Sequence, residues 1–373
     1  MRRVVGGAGP RDGNGTLARS KAHRNILRLD TKSNERRQVN GYKTQACMGS
    51  DTAPRISQAR RGVALACSNF WTIRQVSASF DHRGADEPLH SETGARYRVH
   101  DSRSQTMRGR EMAWFEREGI RIAYEEYGPP HGPVVVFSHG FLMDSEMFLP
   151  NIENLRDIFR CIVWDQRGFG ATGPTDRAFS YWDSARDLIG LLDHLEIATA
   201  SLVGMSQGGF VSMRAALLEP DRFRAIALIA TRSDLDDATV TESFEQLKAE
   251  WARNGAENVA GHLASFLLGP EYEESVWTAK WQRLSREHFD HPVDALTTRD
   301  DITRRLGDIT HASIVFHGDA DAAIDPGCGE ALAARLPNCK GMVSVAGAGH
   351  TPNLTHAHDV NPLLRDFLLR YGR

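Results

Sequence analysis

The stretch Ser201-Leu202-Val203-Gly204-Met205-Ser206-Gln207-Gly208-Gly209 constrains the fold of this chain more than any other. An apolar run leads into Gly-x-Ser-x-Gly, and a helix-compatible segment follows at residues 210–218, which is the order strand, sharp turn, helix. A serine in such a turn sits in a strained backbone conformation with its hydroxyl presented outward. A Cβ at either flanking position would collide with the neighbouring strand and helix, so glycine at 204 and 208 relieves the turn. The helix that begins here points its unpaired amides at the serine, which makes the amide of Gln207 a candidate donor to a negatively charged substrate oxygen. Ser206 is the candidate nucleophile.

A serine hydroxyl is a poor nucleophile at neutral pH and needs a base within hydrogen-bond reach, itself oriented by an acid. Two apolar runs further on end in loops that carry such groups. Residues 314–316 lead into His317-Gly318-Asp319-Ala320-Asp321, and residues 342–345 lead into Gly347-Ala348-Gly349-His350. Nucleophile, acid and base in that chain order suit a strand-turn-helix serine site. Asp319, Asp321 and Asp325 compete as the acid, and His350, His356 and His358 as the base. Glycines at 347 and 349 allow the close approach a base requires and favour His350, while His356 and His358 fall in or beyond the turn before the last helix.

The periodicity around these residues predicts an α/β architecture. Residues 113–117 and 120–126 read as a hairpin around Glu118-Gly119, residues 134–137 and 161–164 as buried strands, and residues 145–155 and 181–195 as helices. The strand into Gly204, the helix after Ser206 and a strand at 225–230 continue the alternation, which implies a mainly parallel sheet with helices on both faces. Residues 234–306 then carry helical character without a β run, before strands at 314–316 and 342–345 and helices at 330–336 and 361–369 close the chain. An insertion between two sheet strands packs over the edge where ligands bind, so this one is expected to be a cap.

Charge divides the 373 residues unevenly. Residues 1–110 hold 21 Lys+Arg against 9 Asp+Glu, and the remainder holds 24 against 39. The basic part lacks apolar periodicity and is expected to be a disordered N-terminal extension, compatible with an Arg-rich transit peptide or with no folded role. The expected division is therefore this extension at 1–110, the core at 111–233 and 309–373, and the cap at 234–308. No run approaches the length of a membrane span. The five cysteines form no Cys-x-x-Cys pair, which argues against a disulfide framework or zinc site, leaves Cys161 and Cys339 as buried free thiols and suits a reducing, cytoplasmic setting. No metal, cofactor or nucleic-acid partner is expected, and nothing fixes an oligomeric state.

With His139-Gly140-Phe141, Asp165-Gln166-Arg167-Gly168-Phe169-Gly170, the Ser206 turn, Gly318-x-x-Asp321 and Gly349-His350 in place, residues 113–373 resemble the α/β-hydrolase superfamily, in the branch with a helical cap after the sixth strand. The resemblance implies an eight-stranded, mostly parallel sheet and a triad of Ser206, Asp321 and His350. It selects Asp321 because the family's acid stands three residues after the glycine. It also places the amides of Phe141 and Gln207 in an oxyanion hole. Leu142 stands where many relatives carry proline. His139 and Asp165 are expected to be structural, with Arg167 paired to a carboxylate or a main-chain oxygen. Trp251, Trp277 and Trp281 are candidate substrate-binding residues, with helix-to-helix packing as the other reading. The implied activity is serine hydrolysis of a small ester, lactone or thioester with an apolar acyl group. Carbon–carbon bond hydrolysis, cofactor-free perhydrolysis and a ligand-binding or signalling role are the alternatives. Epoxide and haloalkane chemistry is disfavoured, since those relatives place aspartate at the position of Ser206.

Overall fold

A computed structural model describes residues 112–269 and 275–373. The expectation for residues 1–110 lies outside the described residues. In chain order the elements are β1 (Ala113–Arg117), β2 (Ile120–Tyr127), β3 (Val134–Ser138), α1 (Leu149–Leu155), β4 (Arg160–Trp164), α2 (Tyr181–His194), β5 (Ala200–Met205), α3 (Gln207–Leu218) and β6 (Phe223–Ile229). Four helices follow, α4 (Ala238–Asn254), α5 (Ala260–Leu268), α6 (Ser275–Arg283) and α7 (Asp290–Thr297). The chain closes with β7 (Ala312–Gly318), α8 (Pro326–Arg335), β8 (Cys339–Val345), α9 (Pro352–Thr355) and α10 (Ala357–Tyr371).

The eight strands form one sheet in the order β1-β2-β4-β3-β5-β6-β7-β8. β2 is antiparallel to both β1 and β4, and every pair from β4 onward to β8 is parallel. The hairpin turns where expected, with Glu118 and Gly119 both at positive φ, 53° and 81°; two consecutive positive values match the right-handed twist of the paired strands. β5 and β7 are buried at every position, as strands covered on both faces must be, whereas edge strand β8 buries only Val345. One predicted helix is divided: residues 145–155 form a 3-10 turn at Ser145–Phe148 before α1, with Pro150 in the first turn, where its missing N–H is harmless.

Helix α2 shows how sequence sets one of these boundaries. Ser180 caps the Asp183 amide while Asp183 reaches back to the Ser180 amide, and Ala185, Leu188 and Leu192 turn inward at helical spacing. The parallel register brings the ends of β5, β7 and β8 to one edge of the sheet, and the loops that leave Met205, Gly318 and Val345 there carry Ser206, Asp321 and His350. Cys161 is a buried free thiol as expected, but Cys339 is only half-buried, because it opens the edge strand. Among the described residues, no helix is long and apolar enough to cross a membrane.

Candidate active site

Strand β5 delivers Ser206 into the turn at φ 51° and ψ −115°, a region an L-residue occupies only where its surroundings over-determine it. Hydrogen bonds to its main chain do so, three of them at 2.8 Å. The Ser206 amide donates to the Ile229 carbonyl at 2.8 Å, and the Ser206 carbonyl accepts from the Gly209 amide at 2.8 Å and the Thr231 hydroxyl at 2.8 Å. A Cβ on Gly204 would overlap the Gly208 carbonyl, and one on Gly208 would overlap the carbonyl of Ser138 in β3. The sequence reading missed a third such contact: a Cβ on Gly209 would come within 2.5 Å of Thr231 Oγ1.

The loops at the sheet edge converge on that serine. His350 Nε2 lies 3.0 Å from Ser206 Oγ, and His350 Nδ1 lies 2.9 Å and 3.1 Å from the two carboxylate oxygens of Asp321. A carboxylate only accepts, so Nδ1 carries a proton, and Nε2 of the neutral ring is left to accept from the Ser206 hydroxyl. Asp321 Oδ1 also takes the amides of Ala323 at 2.8 Å and Ile324 at 3.0 Å. Burial pushes the Asp321 carboxyl up, but His350 beside it and the hydrogen bonds from His317 and His350 outweigh burial and hold it well below the usual carboxylate range. The rival acids are engaged elsewhere: Asp319 accepts from the Gly347 amide at 2.7 Å and Asp325 caps α8 through Gly327 at 2.7 Å. The rival bases also point elsewhere, His356 to Thr355 Oγ1 and His358 to Asp359.

The main-chain amides of Phe141 and Gln207 have no acceptor among the described residues. Gln207 opens α3, so its amide is one of the unpaired donors every helix start leaves. Phe141 lies in a turn closed by the Met143 amide donating to the Gly140 carbonyl at 3.1 Å, and the next residue, Leu142, has φ 63°. Proline is locked near −65° and cannot adopt that value, so this backbone excludes proline at 142. A polar relay holds the underside of these loops. Tyr181 donates to Gln207 Oε1 at 3.2 Å, Gln207 Nε2 to Gln166 Oε1 at 3.1 Å, and Gln166 Nε2 to the His139 carbonyl at 2.6 Å. The Gln166 amide donates to His139 Nε2 at 2.9 Å, while His139 Nδ1–H donates to the Gly140 carbonyl at 2.8 Å, and burial pushes the His139 imidazole below its ordinary value. Asp165 takes the amides of Ser145 and Ala171, and Arg167 forks onto buried Asp187 at 2.5 Å and 2.8 Å.

Beside Ser206 and His350 opens a cavity of about 100 Å³ with apolar walls. Phe141, Leu142, Met205 and Phe210 line it from the sheet edge, and Val240, Phe244, Leu247, Leu263 and Leu267 from α4 and α5. None of Trp251, Trp277 and Trp281 lines it; all three are buried among packing contacts. Trp251 stacks on Phe289 at 4.2 Å between ring centroids, and Phe289 in turn meets the Phe141 ring at 6.2 Å. Trp281 Nε1–H donates to the Leu142 carbonyl at 2.6 Å. Trp277 lies under Lys280, whose ammonium binds Asp144 at 2.6 Å and Glu146 at 2.8 Å. Buried aromatics at these positions form a second layer that latches α6 and α7 to the loop bearing Phe141.

Elsewhere, His288, Asp290 and His291 each bring one potential metal-ligand atom within 4.8 Å of the others. The two imidazoles stack 5.2 Å apart at 22°, which does not aim their in-plane lone pairs at one point, and His291 Nδ1–H is committed to the Thr175 carbonyl at 2.9 Å.

This edge-of-sheet arrangement on a mostly parallel eight-stranded sheet defines a class. Residues 133–357 match the model of the alpha/beta hydrolase fold family, and the chain belongs to that family. A pimeloyl-[acyl-carrier protein] methyl ester esterase of Xanthomonas campestris pv. campestris is 28% identical over 257 residues, covering 64% of this chain and 96% of that protein. A thermophilic esterase from Thermogutta terrifontis superposes with a TM-score of 0.61 at 27% identity, over 71% of this chain and all of the other (100%). The enol-lactonase from Burkholderia xenovorans LB400 shares the fold, with a TM-score of 0.63 at 22% identity over 69% of this chain and 100% of its own. The family and its relatives make this protein a hydrolase.

Proposed function

We propose that the protein is a serine hydrolase that cleaves a small ester, lactone or thioester with an apolar acyl group through an acyl-enzyme. The observation that carries this reading is the unbroken hydrogen-bond line from Asp321 through His350 to Ser206 at the mouth of an apolar cavity. Ser206 Oγ attacks the substrate carbonyl carbon as His350 Nε2 takes its proton, and the carbonyl oxygen becomes an oxyanion held by the amides of Phe141 and Gln207. Collapse breaks the bond to the leaving oxygen or sulfur, which takes the proton from His350. Water, deprotonated by the same nitrogen, then attacks the acyl-enzyme and releases the acid. Helices α4 to α7 act as the cap: α4 and α5 supply one wall of the cavity, while α6 and α7 fasten the loop that carries Phe141. The acyl part lies against Phe244, Leu247 and Leu267, where about 25 cal/mol per Å² of buried apolar surface favours binding.

The test is hydrolysis of p-nitrophenyl esters from acetyl to dodecanoyl by the full chain and by Ser206→Ala. The expected result is a loss of at least about 10³-fold in kcat with Ser206→Ala and an optimum at a short or medium acyl chain. Turnover that survives Ser206→Ala would refute the reading.

A further inference from the structure

His317 is the penultimate residue of β7, wholly buried, four residues before Asp321, and the proposed reaction gives it no part. Its Nε2 lies 3.0 Å from Asp321 Oδ2 and 3.0 Å from the Ile324 carbonyl. Both neighbours are obligate acceptors, the first because Asp321 is held ionised, so Nε2 must carry the proton; its hydrogen bond runs to the Ile324 carbonyl, with Asp321 Oδ2 beside it as a second acceptor at 3.0 Å. Nδ1 is buried with no hydrogen-bond partner among the described residues. It faces the backbone of α8 at Gly329, where a Cβ would come within 2.6 Å of it and 3.1 Å of the Met342 methyl. A proton on Nδ1 would be a buried donor with nothing to receive it, so the environment selects one form of the ring, neutral with Nε2–H.

The consequence falls on the carboxylate. Oδ1 of Asp321 is fixed by two main-chain amides, but among the described residues Oδ2 receives no amide, and besides His350 only His317 stands within reach of it. Without the His317 donor the carboxylate could pivot about Oδ1, and the line from Oδ2 through His350 to Ser206 would lose its fixed end. We infer that His317 is a positioning residue of the hydrolytic site, whose Nε2–H clamps the free oxygen of Asp321 so that His350 presents Nε2 to Ser206. The inference rests on the serine-hydrolase reading, and Gly329 belongs to the same device because only a residue without a side chain leaves room for the ring.

Two substitutions separate this role from simple packing. In His317→Gln the side-chain amide reaches about as far as Nε2 and keeps an N–H for Oδ2, whereas His317→Met fills similar volume without a donor. In the full chain, His317→Met should lower kcat about tenfold with KM within about twofold, the signature of a lost transition-state interaction, while His317→Gln stays within about threefold of wild type in both. The rate at which a fluorophosphonate probe labels Ser206 should fall in the same ratio. Proton and nitrogen NMR of the histidine rings, assigned by difference from His317→Gln, should place His317 in the Nε2–H form. The strongly downfield proton of His350 Nδ1 should shift in His317→Met and hold in His317→Gln. Equal losses in both variants, unchanged kcat in His317→Met, or an Nδ1–H form of His317 would each overturn the inference. If wild type neither turned over esters nor labelled at Ser206, the serine-hydrolase reading would fail, while the NMR measurements would still decide whether His317 holds Asp321.

Discussion

Replacing Asp321 with asparagine changes one atom and reverses the logic of the site. The aspartate receives four donors: the amides of Ala323 and Ile324 and His350 Nδ1–H at Oδ1, and His350 Nδ1–H with His317 Nε2–H at Oδ2. Asparagine has one accepting oxygen, and the two fixed main-chain amides claim it at the Oδ1 position. Its NH2 group is then forced into the Oδ2 position, facing two ring N–H groups. His350 resolves the clash by moving its proton to Nε2, where it points a donor rather than a lone pair at Ser206. The base is lost although nothing has moved. The expected loss in kcat/KM is about 10³- to 10⁴-fold, or about 4 to 5.5 kcal/mol at 1.36 kcal/mol per decade. Asp319→Asn is the matched control, because its remaining oxygen can still accept the Gly347 amide at 2.7 Å, and activity should stay within about threefold. The assay is p-nitrophenyl ester hydrolysis at saturating and limiting substrate, with circular dichroism to verify that both variants fold. A folded Asp321→Asn enzyme that keeps more than about a tenth of wild-type kcat/KM would refute the reasoning, as would equal losses at 319 and 321.

Trp281→Phe removes the donor to the Leu142 carbonyl and leaves that buried acceptor unpaired, so stability should fall by about 1–3 kcal/mol in urea unfolding and kcat should drop several-fold as the Phe141 loop loosens. Phe244→Ala enlarges the cavity wall, and the preferred p-nitrophenyl ester should lengthen by about two carbons; an unchanged optimum would mean that the acyl group lies elsewhere. His139 is buried, and its imidazole is held below its ordinary value, so the unfolded chain binds the proton first. The stability it contributes is complete above about pH 6.5 and is lost as pH falls toward the depressed folded value. Between about pH 7 and 5.5 the unfolding free energy therefore declines. His139→Gln can still accept the Gln166 amide and cannot titrate, so its unfolding free energy should decline over that interval by correspondingly less than that of wild type.

The parts of this molecule that could be read in the sequence are those whose physics is local. Gly204 and Gly208 are required by atoms a few residues away or in the adjacent strand, and the apolar runs of β3, β5 and β7 state their own burial. That Ser206, the loop after β7 and the loop bearing His350 meet follows from strands that end at a common edge, because a parallel sheet converts chain order into spatial proximity, whereas the choice of Asp321 within its loop is what the family resemblance implies. The aromatic residues of the insertion obey no such rule. Trp281 reaches a carbonyl 139 residues away, and Trp251 is linked to Phe141 through Phe289. An aromatic that lines a cavity and one that stands behind its lining have the same periodicity and the same burial, so spacing cannot separate them. His317 was in view throughout as the first letter of His317-Gly318-Asp319-Ala320-Asp321, yet its contact with Asp321 depends on how the loop folds back after Gly318. A Cβ on Gly318 would overlap the Ala348 and Gly349 carbonyls, so this glycine lets the acid loop and the His350 loop cross. The signal that could have found His317 is the interval itself: a histidine at the penultimate position of a strand, four residues before a loop carboxylate, followed by a glycine at 329 that has no turn to make.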